Sequence, residues 1–432
     1  MTAPSHAQRR RGLVASVVEG ALHAVMVGVS ESYLGALAVE LGHGDVAIAL
    51  LVTLPILVGA LAQLTAGRLG DRIGRRRLVL IGAALQAASH VGFWWIASTR
   101  EDDFLALLLA KVAFWTSGMM IVPAWSAWMA RLTEGMGRER YFARRGATTA
   151  AALLVTFLFA GFFLESGRRA GDALGAFAVM FVVGLVARAV SLGGFFLMPP
   201  MERLDTSAQP SLRAVIARSR LRTPVYLAAM TFGTYLSAPF FTPYMLRVLE
   251  LDFERYAALI ATATLTKVVA FPLLHRAAVR FGLPRVLLVS GIGVAVVPLA
   301  WSWTTEFGWL MAAQVLSGAA WSGVELASFQ LLLDSADDDH RTGLMGLSSA
   351  MSGAMQVTAA LVGSALLVTL VHDYVLVFVI SAAARALALA FLWSAVRRES
   401  FERIPRVFVR IVSMRPVEGV VRKLVGWESP RD

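Results

Sequence analysis

Seven ionisable side chains other than histidine stand deep inside apolar stretches of this sequence: Glu19, Glu31, Lys111, Arg188, Lys267, Glu325 and Arg385. At a few kcal/mol each, leaving all of them against hydrocarbon would cost on the order of 20 kcal/mol. They must therefore pair, reach water or bend towards a polar surface. A carboxylic acid in such a place suits one kind of chemistry, because burial favours its protonated form and makes it a carrier of protons. Glu325 is the leading expectation for that role. Glu19 and His23, four residues apart on one helical face, are the alternative, and a buried acid with a fixed structural partner is the competing reading. Lys267 is one of only three lysines, with Lys111 and Lys423, in a chain that otherwise uses arginine. Lysine tolerates deprotonation on burial where arginine does not, so Lys267 can meet an anion, pair with Glu325 or serve only the fold.

Depth can be counted at 1.5 Å per residue of helix. Glu31 then lies about 10 Å inside one end of the first apolar stretch, and Lys111 about 10 Å inside the same end of the fourth. That places an ion pair between them within reach. Arg188 and Arg385 are expected to be structural. Trp115, Tyr235, Tyr244 and Trp321 could line a cavity and stack on an amphipathic ligand, although each alone is more often packing. The seven histidines, at 6, 23, 43, 90, 275, 340 and 372, show no metal-ligand spacing, and there is no cysteine. No metal and no cofactor are expected.

The elements that carry these residues are long apolar blocks. Of the 432 residues 57% are hydrophobic and only 16% charged, too few to cover the surface of a soluble domain of this length. The blocks approach the roughly 20 residues that a helix needs to cross a bilayer. Spans are predicted near 13–38, 45–66, 78–98, 104–131, 147–166, 173–198, 224–248, 256–274, 285–304, 307–333, 343–371 and 374–396. The net charge of +11 does not point to nucleic acid, because the arginines cluster in every second connection, as the positive-inside rule requires. Asp334–Arg341 is the exception, with Asp337, Asp338 and Asp339 against one arginine. Both chain ends are expected in the cytoplasm of a multi-pass protein of the bacterial inner membrane. Arg9–Arg11 before an apolar run imitates a secretion signal, but Glu19, His23 and Glu31 interrupt the run, so it reads as a retained first span.

The fold class expected is all-α: twelve transmembrane helices as two pseudo-symmetric six-helix bundles. The bundles occupy 1–198 and 224–396, with a cytoplasmic linker at 199–223 containing Pro199, Pro200 and Pro210. Internal repetition supports the division. Phe181–Leu192 (FVVGLVARAVSL) parallels Phe378–Leu389 (FVISAAARALAL), and Gly67–Arg77 (GRLGDRIGRRR) parallels His275–Arg285 (HRAAVRFGLPR), aligning Gly74 with Gly282. The tail, 397–432, reads as two short basic amphipathic helices lying on anionic inner-leaflet lipids.

The stretch Gly67–Arg76 resembles the signature of the major facilitator superfamily between its second and third helices, through Gly67, Leu69, Asp71, Arg72, Gly74, Arg75 and Arg76. The signature usually ends on one more basic residue, where this chain has Leu78. The resemblance implies a secondary transporter with helices one, four, seven and ten around a central cavity, and a loop here that clamps the two halves together on the cytoplasmic side. Lys111 stands where many proton-linked members carry Arg before Gln-Gly, but Phe114 and Trp115 replace that pair. The fifth helix lacks the prolines of many drug/proton antiporters.

The function expected is alternating-access transport of a small organic solute, coupled to protons, by a monomer that is not an enzyme. The alternatives are efflux of amphipathic drug-like or lipid-like compounds, and a non-transporting sensor on the same fold. Candidate cavity residues are Glu31, Lys111, Trp115, Tyr235, Lys267 and Trp321. No P-loop is present, which disfavours drive by ATP.

Overall fold

In a computed structural model, residues 5–100, 103–134, 138–199, 212–335, 338–371 and 373–396 are described. All regular elements among them are helical. The first span is α1 (His6–Val29), a 3-10 turn at Glu31–Tyr33 and α2 (Leu34–Glu40). The first half is completed by α3 (Asp45–Ile73), α4 (Arg75–Thr99), α5 (Phe104–Leu132), α6 (Arg138–Arg169) and α7 (Ala173–Leu197). A short helix, α8 (Leu212–Arg218), lies inside the stretch expected as linker and packs on the second half. The seventh span consists of α9 (Arg222–Tyr235), a 3-10 turn, α10 (Phe241–Pro243) and a π turn at Tyr244–Val248. Then follow α11 (Phe253–Phe281), α12 (Leu283–Trp303), α13 (Phe307–Leu333), α14 (Asp338–Ala365, with a π turn to Val371) and α15 (Tyr374–Val396). The tail from 397 lies outside the described residues.

Ten helical stretches among the described residues are long and apolar enough to cross a membrane. The other two expected spans are helical but weaker by that measure. The seventh is broken where Pro239 and Pro243 withdraw backbone donors. The tenth, α13, is long enough at 27 residues but is diluted by Gln314, Glu325 and Gln330. The aligned glycines close equivalent turns: Gly74 between α3 and α4 has φ +93°, and Gly282 between α11 and α12 has φ +87°, with ψ of 130° and 150°. That corner of backbone space is essentially restricted to glycine.

The helices pack as two sets, α1–α7 and α9–α15, which meet through α3 with α14, α6 with α11, and α2 with α10. Their cores divide along the molecule. Near the Gly67–Arg77 turn each half has its own: Leu13, Val79, Trp128 and Phe195 in the first, Tyr226, Leu287, Val294 and Ala327 in the second. At the opposite end one core runs through both, with Tyr33, Leu37 and Phe177 joined to Phe240, Tyr256 and Phe378. The buried cores are thus joined at one end and separate at the other, while α3 and α14 stay in contact as far as Leu64 and Gly346 near the turn.

Candidate functional site

Each half carries an acid–base set. In the first half, Trp115 Nε1 donates to Glu31 Oε1 at 3.1 Å, and Lys111 Nζ is 3.9 Å from the same oxygen. The 3-10 turn at Glu31–Tyr33 holds the carboxylate opposite α5. Lys111 and Trp115 are one helical turn apart and so reach it from one face. In the second half, Lys267 Nζ on α11 donates to Glu325 Oε1 on α13 at 2.5 Å, with side chains 40% and 48% exposed. The face of α11 carrying Lys267 also carries Thr264 and Ile260. These two line a 260 Å³ cavity with Ser32, Leu153, Leu154 and Phe157 of the first half.

Glu19 and His23, expected to act together, are not hydrogen-bonded to each other. Glu19 is buried and held by two guanidinium groups, Arg145 at 3.0 Å and Arg188 at 3.2 Å. Arg188 also donates to Ser191, and Arg145 lies 4.2 Å over the Trp125 ring. His23 leaves Nδ1 without a hydrogen bond. His90, absent from the sequence-based candidates, is fully buried between Ser30 Oγ at 2.9 Å and the Gln86 carbonyl at 2.8 Å. Arg385, which the repeat aligns with Arg188, has no carboxylate within salt-bridge distance among the described residues. It donates to the carbonyls of Val294 and Thr234 and to Ser237 Oγ, tying α15 to α12 and α9.

The turn motif occupies the end of α3 and the start of α4. Leu69 packs against the first half's core, Arg72 is exposed in the last turn of α3, and Arg75 opens α4. Arg76 donates to the Phe196 carbonyl at 3.3 Å, which ties the turn to the end of α7. Gly67 and Asp71 lie in the helical part of the motif. Of the aromatic candidates, Trp115 touches Glu31 and Tyr235 is half-buried near the break in the seventh span. Tyr244 meets Phe378 and Trp301 edge to face, and Trp321 is partly buried against the second half's core.

The end opposite the turn is closed by polar clamps that sequence reasoning missed. Asp45 at the start of α3 is 3.5 Å from Arg247 and accepts from the Tyr374 hydroxyl at 2.8 Å. Glu165 near the end of α6 accepts from the Phe253 backbone N–H at 3.0 Å, and Arg169 pairs with Glu254 at 3.2 Å. Each clamp joins one half to the other. Their signal in the sequence is only that charged residues flank apolar blocks, which solvent exposure explains equally well. Among the described residues, no three His, Asp or Glu side chains gather as a metal site.

No curated protein matches the chain. Solved structures do, at low identity. A mutant form of the nucleoside transporter NupG aligns with a TM-score of 0.70 at 11% identity, over 90% of this chain and 99% of that one. NupG itself gives 0.69 at 11%, over 91% and 100%. A bacterial homologue of the human lysosomal transporter Spinster, inward-facing and unoccupied, gives 0.66 at 14%, over 91% and 98%. The family model of the Major Facilitator Superfamily matches twice, at residues 20–237 and 225–423. With both halves matched, the chain belongs to the Major Facilitator Superfamily and is a multi-pass membrane transporter.

Proposed function

We propose that this protein is a secondary active transporter that moves a small organic solute by alternating access, with protons as the coupling ion. The observation that carries this reading is the division of the core. The halves share one core and two polar clamps at one end and keep separate cores at the other, and each half carries an acid–base set. Such a molecule can exchange its closed end by rocking one half against the other around a central site.

Glu325 is the proposed proton carrier and Lys267 the base that stabilises its ionised form. The pair is half-exposed rather than enclosed by packing, which leaves it free to exchange partners. The alternative, Glu19 with His23, is less favoured because two arginines already hold the Glu19 carboxylate. Glu31, Lys111, Trp115 and Tyr235 are proposed to meet the solute, and Gly67–Arg76 to close the turn end in the opposite state. The proposed division keeps bundles at 1–198 and 224–396, a linker at 199–223 and a tail at 397–432. The turn end and both termini face the cytoplasm of a bacterial inner-membrane monomer.

The test is a thermal-shift screen of the purified protein against sugars, nucleosides, amino acids, organic acids, lipids and drugs at two pH values. It is followed by flux of the best ligand into proteoliposomes with an imposed pH gradient. Stabilisation by one chemical class, with flux driven by the gradient, is expected. Weak shifts across many amphipaths would indicate efflux of such compounds, and binding without flux would indicate a sensor.

A further inference from the structure

We infer that the groove between α1 and α7 at the turn end is a binding site for one anionic phospholipid. The groove has a volume of about 1210 Å³, beyond the roughly 300–1,000 Å³ of sites for small molecules. Its walls are apolar, with Val14, Val18 and Leu22 on α1 and Val190 and Leu197 on α7. Its mouth carries His6, Arg10 and Arg11.

Three features select the occupant. The first is length. From Ala7 to Leu22 the α1 wall runs about 22 Å, enough for a headgroup and one leaflet of a hydrocarbon core roughly 30 Å thick. A soluble metabolite has no use for that depth, whereas an acyl chain does. The second is charge. Arg9 is committed to the carbonyls of Arg131 and Glu134. Arg10 and Arg11 contact no acidic group among the described residues, and they stand where a lipid phosphate would lie. Glu19, at the inner end, does not oppose an anion at the mouth. It lies about 14 Å further along the helix from Arg10, and Arg145 and Arg188 neutralise it. The third is the absence of side chains. A Cβ at Gly193 would meet nothing within 4 Å, so the groove is open there rather than filled by packing.

This inference is independent of the transport reading. It is tested by native mass spectrometry of the purified full-length protein with phosphatidylglycerol or phosphatidylcholine of the same chains. The wild type is expected to retain one phosphatidylglycerol in preference to phosphatidylcholine by roughly tenfold or more. Arg10→Ala with Arg11→Ala should abolish the preference. Gly193→Trp should evict the lipid while leaving the melting temperature in lipid-free detergent unchanged. The basic tail is the same in all variants, so any lipid it holds cancels from the comparison. Equal retention of both lipids by the wild type, or an undiminished preference in the double variant, would overturn the site. So would displacement by glycerol phosphate as effective as by the whole lipid.

Discussion

The two halves of the molecule each place a carboxylate among bases inside the membrane, and they do so in opposite ways. In the first half Glu19 is 4% exposed and lies between Arg145 and Arg188. In the second, Glu325 meets Lys267 alone, and both are more than a third exposed. The Glu19 carboxylate is fixed in place by two guanidinium groups, and losing it would strand two cations in the packing. The Glu325 carboxylate is paired with one lysine and is not enclosed by packing. The same residue classes thus build a rivet in one half and an exchangeable site in the other. Arg385 extends the contrast: at the position aligned with Arg188 it binds only carbonyls and a hydroxyl, so the repeat preserves the base and not its partner.

The rivet should be the costliest to break. Glu19→Leu leaves Arg188, itself 2% exposed, without its counter-ion, and removing one partner of a buried pair costs about 3–5 kcal/mol. The expected outcome is a large fall in thermal stability of the detergent-purified protein, with part of it regained when Arg188→Leu is added. A variant as stable as wild type would mean that the first half does not depend on this network. Next in size come the paired turns. Gly74→Ala and Gly282→Ala force a side chain into a conformation that costs roughly 1–3 kcal/mol. No neighbour within 3.4 Å adds to that strain at either site. Calorimetry should return equal losses from the two, and unequal losses would show that the turns are equivalent in geometry but not in strain.

How much of this was legible depended on whether a residue announces itself locally. Apolar length located the spans, and depth counting brought Glu31 opposite Lys111, because both signals travel along one helix at a fixed rise. Gly74 and Gly282 were legible through the repeat. Arg145 was not. The fifth span was expected from 147, whereas α6 starts at Arg138, so Arg145, outside the expected span, belongs to the helix and turns inward to Glu19. The break at Ser30 had no proline to announce it; there the serine hydroxyl takes up the Met26 carbonyl of its own helix. The clamps at Asp45–Arg247 and Arg169–Glu254 join residues about 200 and 85 positions apart. No local pattern encodes such pairings.

Those clamps set the next effect, one of population rather than folding. Arg247→Ala removes the ion pair to Asp45 and the hydrogen bond to the His43 carbonyl. At about 1 kcal/mol for a partly exposed pair, the closed end should open roughly fivefold more often. The chain has no cysteine, so spin labels can be introduced in pairs without background. The distance distribution across the Asp45 end should broaden in the variant and stay unchanged across the turn end. A distribution identical to wild type would remove this clamp from the closing mechanism.

The smallest effect on stability belongs to the residue with the largest proposed part in function. Glu325→Gln keeps the shape of the side chain and a hydrogen bond to Lys267, and it breaks an ion pair whose exposure limits its worth to under about 1 kcal/mol. The variant should therefore melt close to wild type and bind the solute. The arginine rivet is untouched, so the fold retains its internal charge balance. What should vanish is the response to a pH gradient: uptake into proteoliposomes falls to the level seen without one, while exchange of solute across the membrane continues. This pairing of outcomes separates a coupling group from a structural one. A structural acid would cost stability and reduce gradient-driven uptake and exchange alike. If Glu325→Gln responds to the gradient as wild type does, the exposed pair is not the proton site, and the comparison between the halves reverses. The Glu19 network, for all its arginines, would then have to open far enough in another state for its carboxylate to meet water.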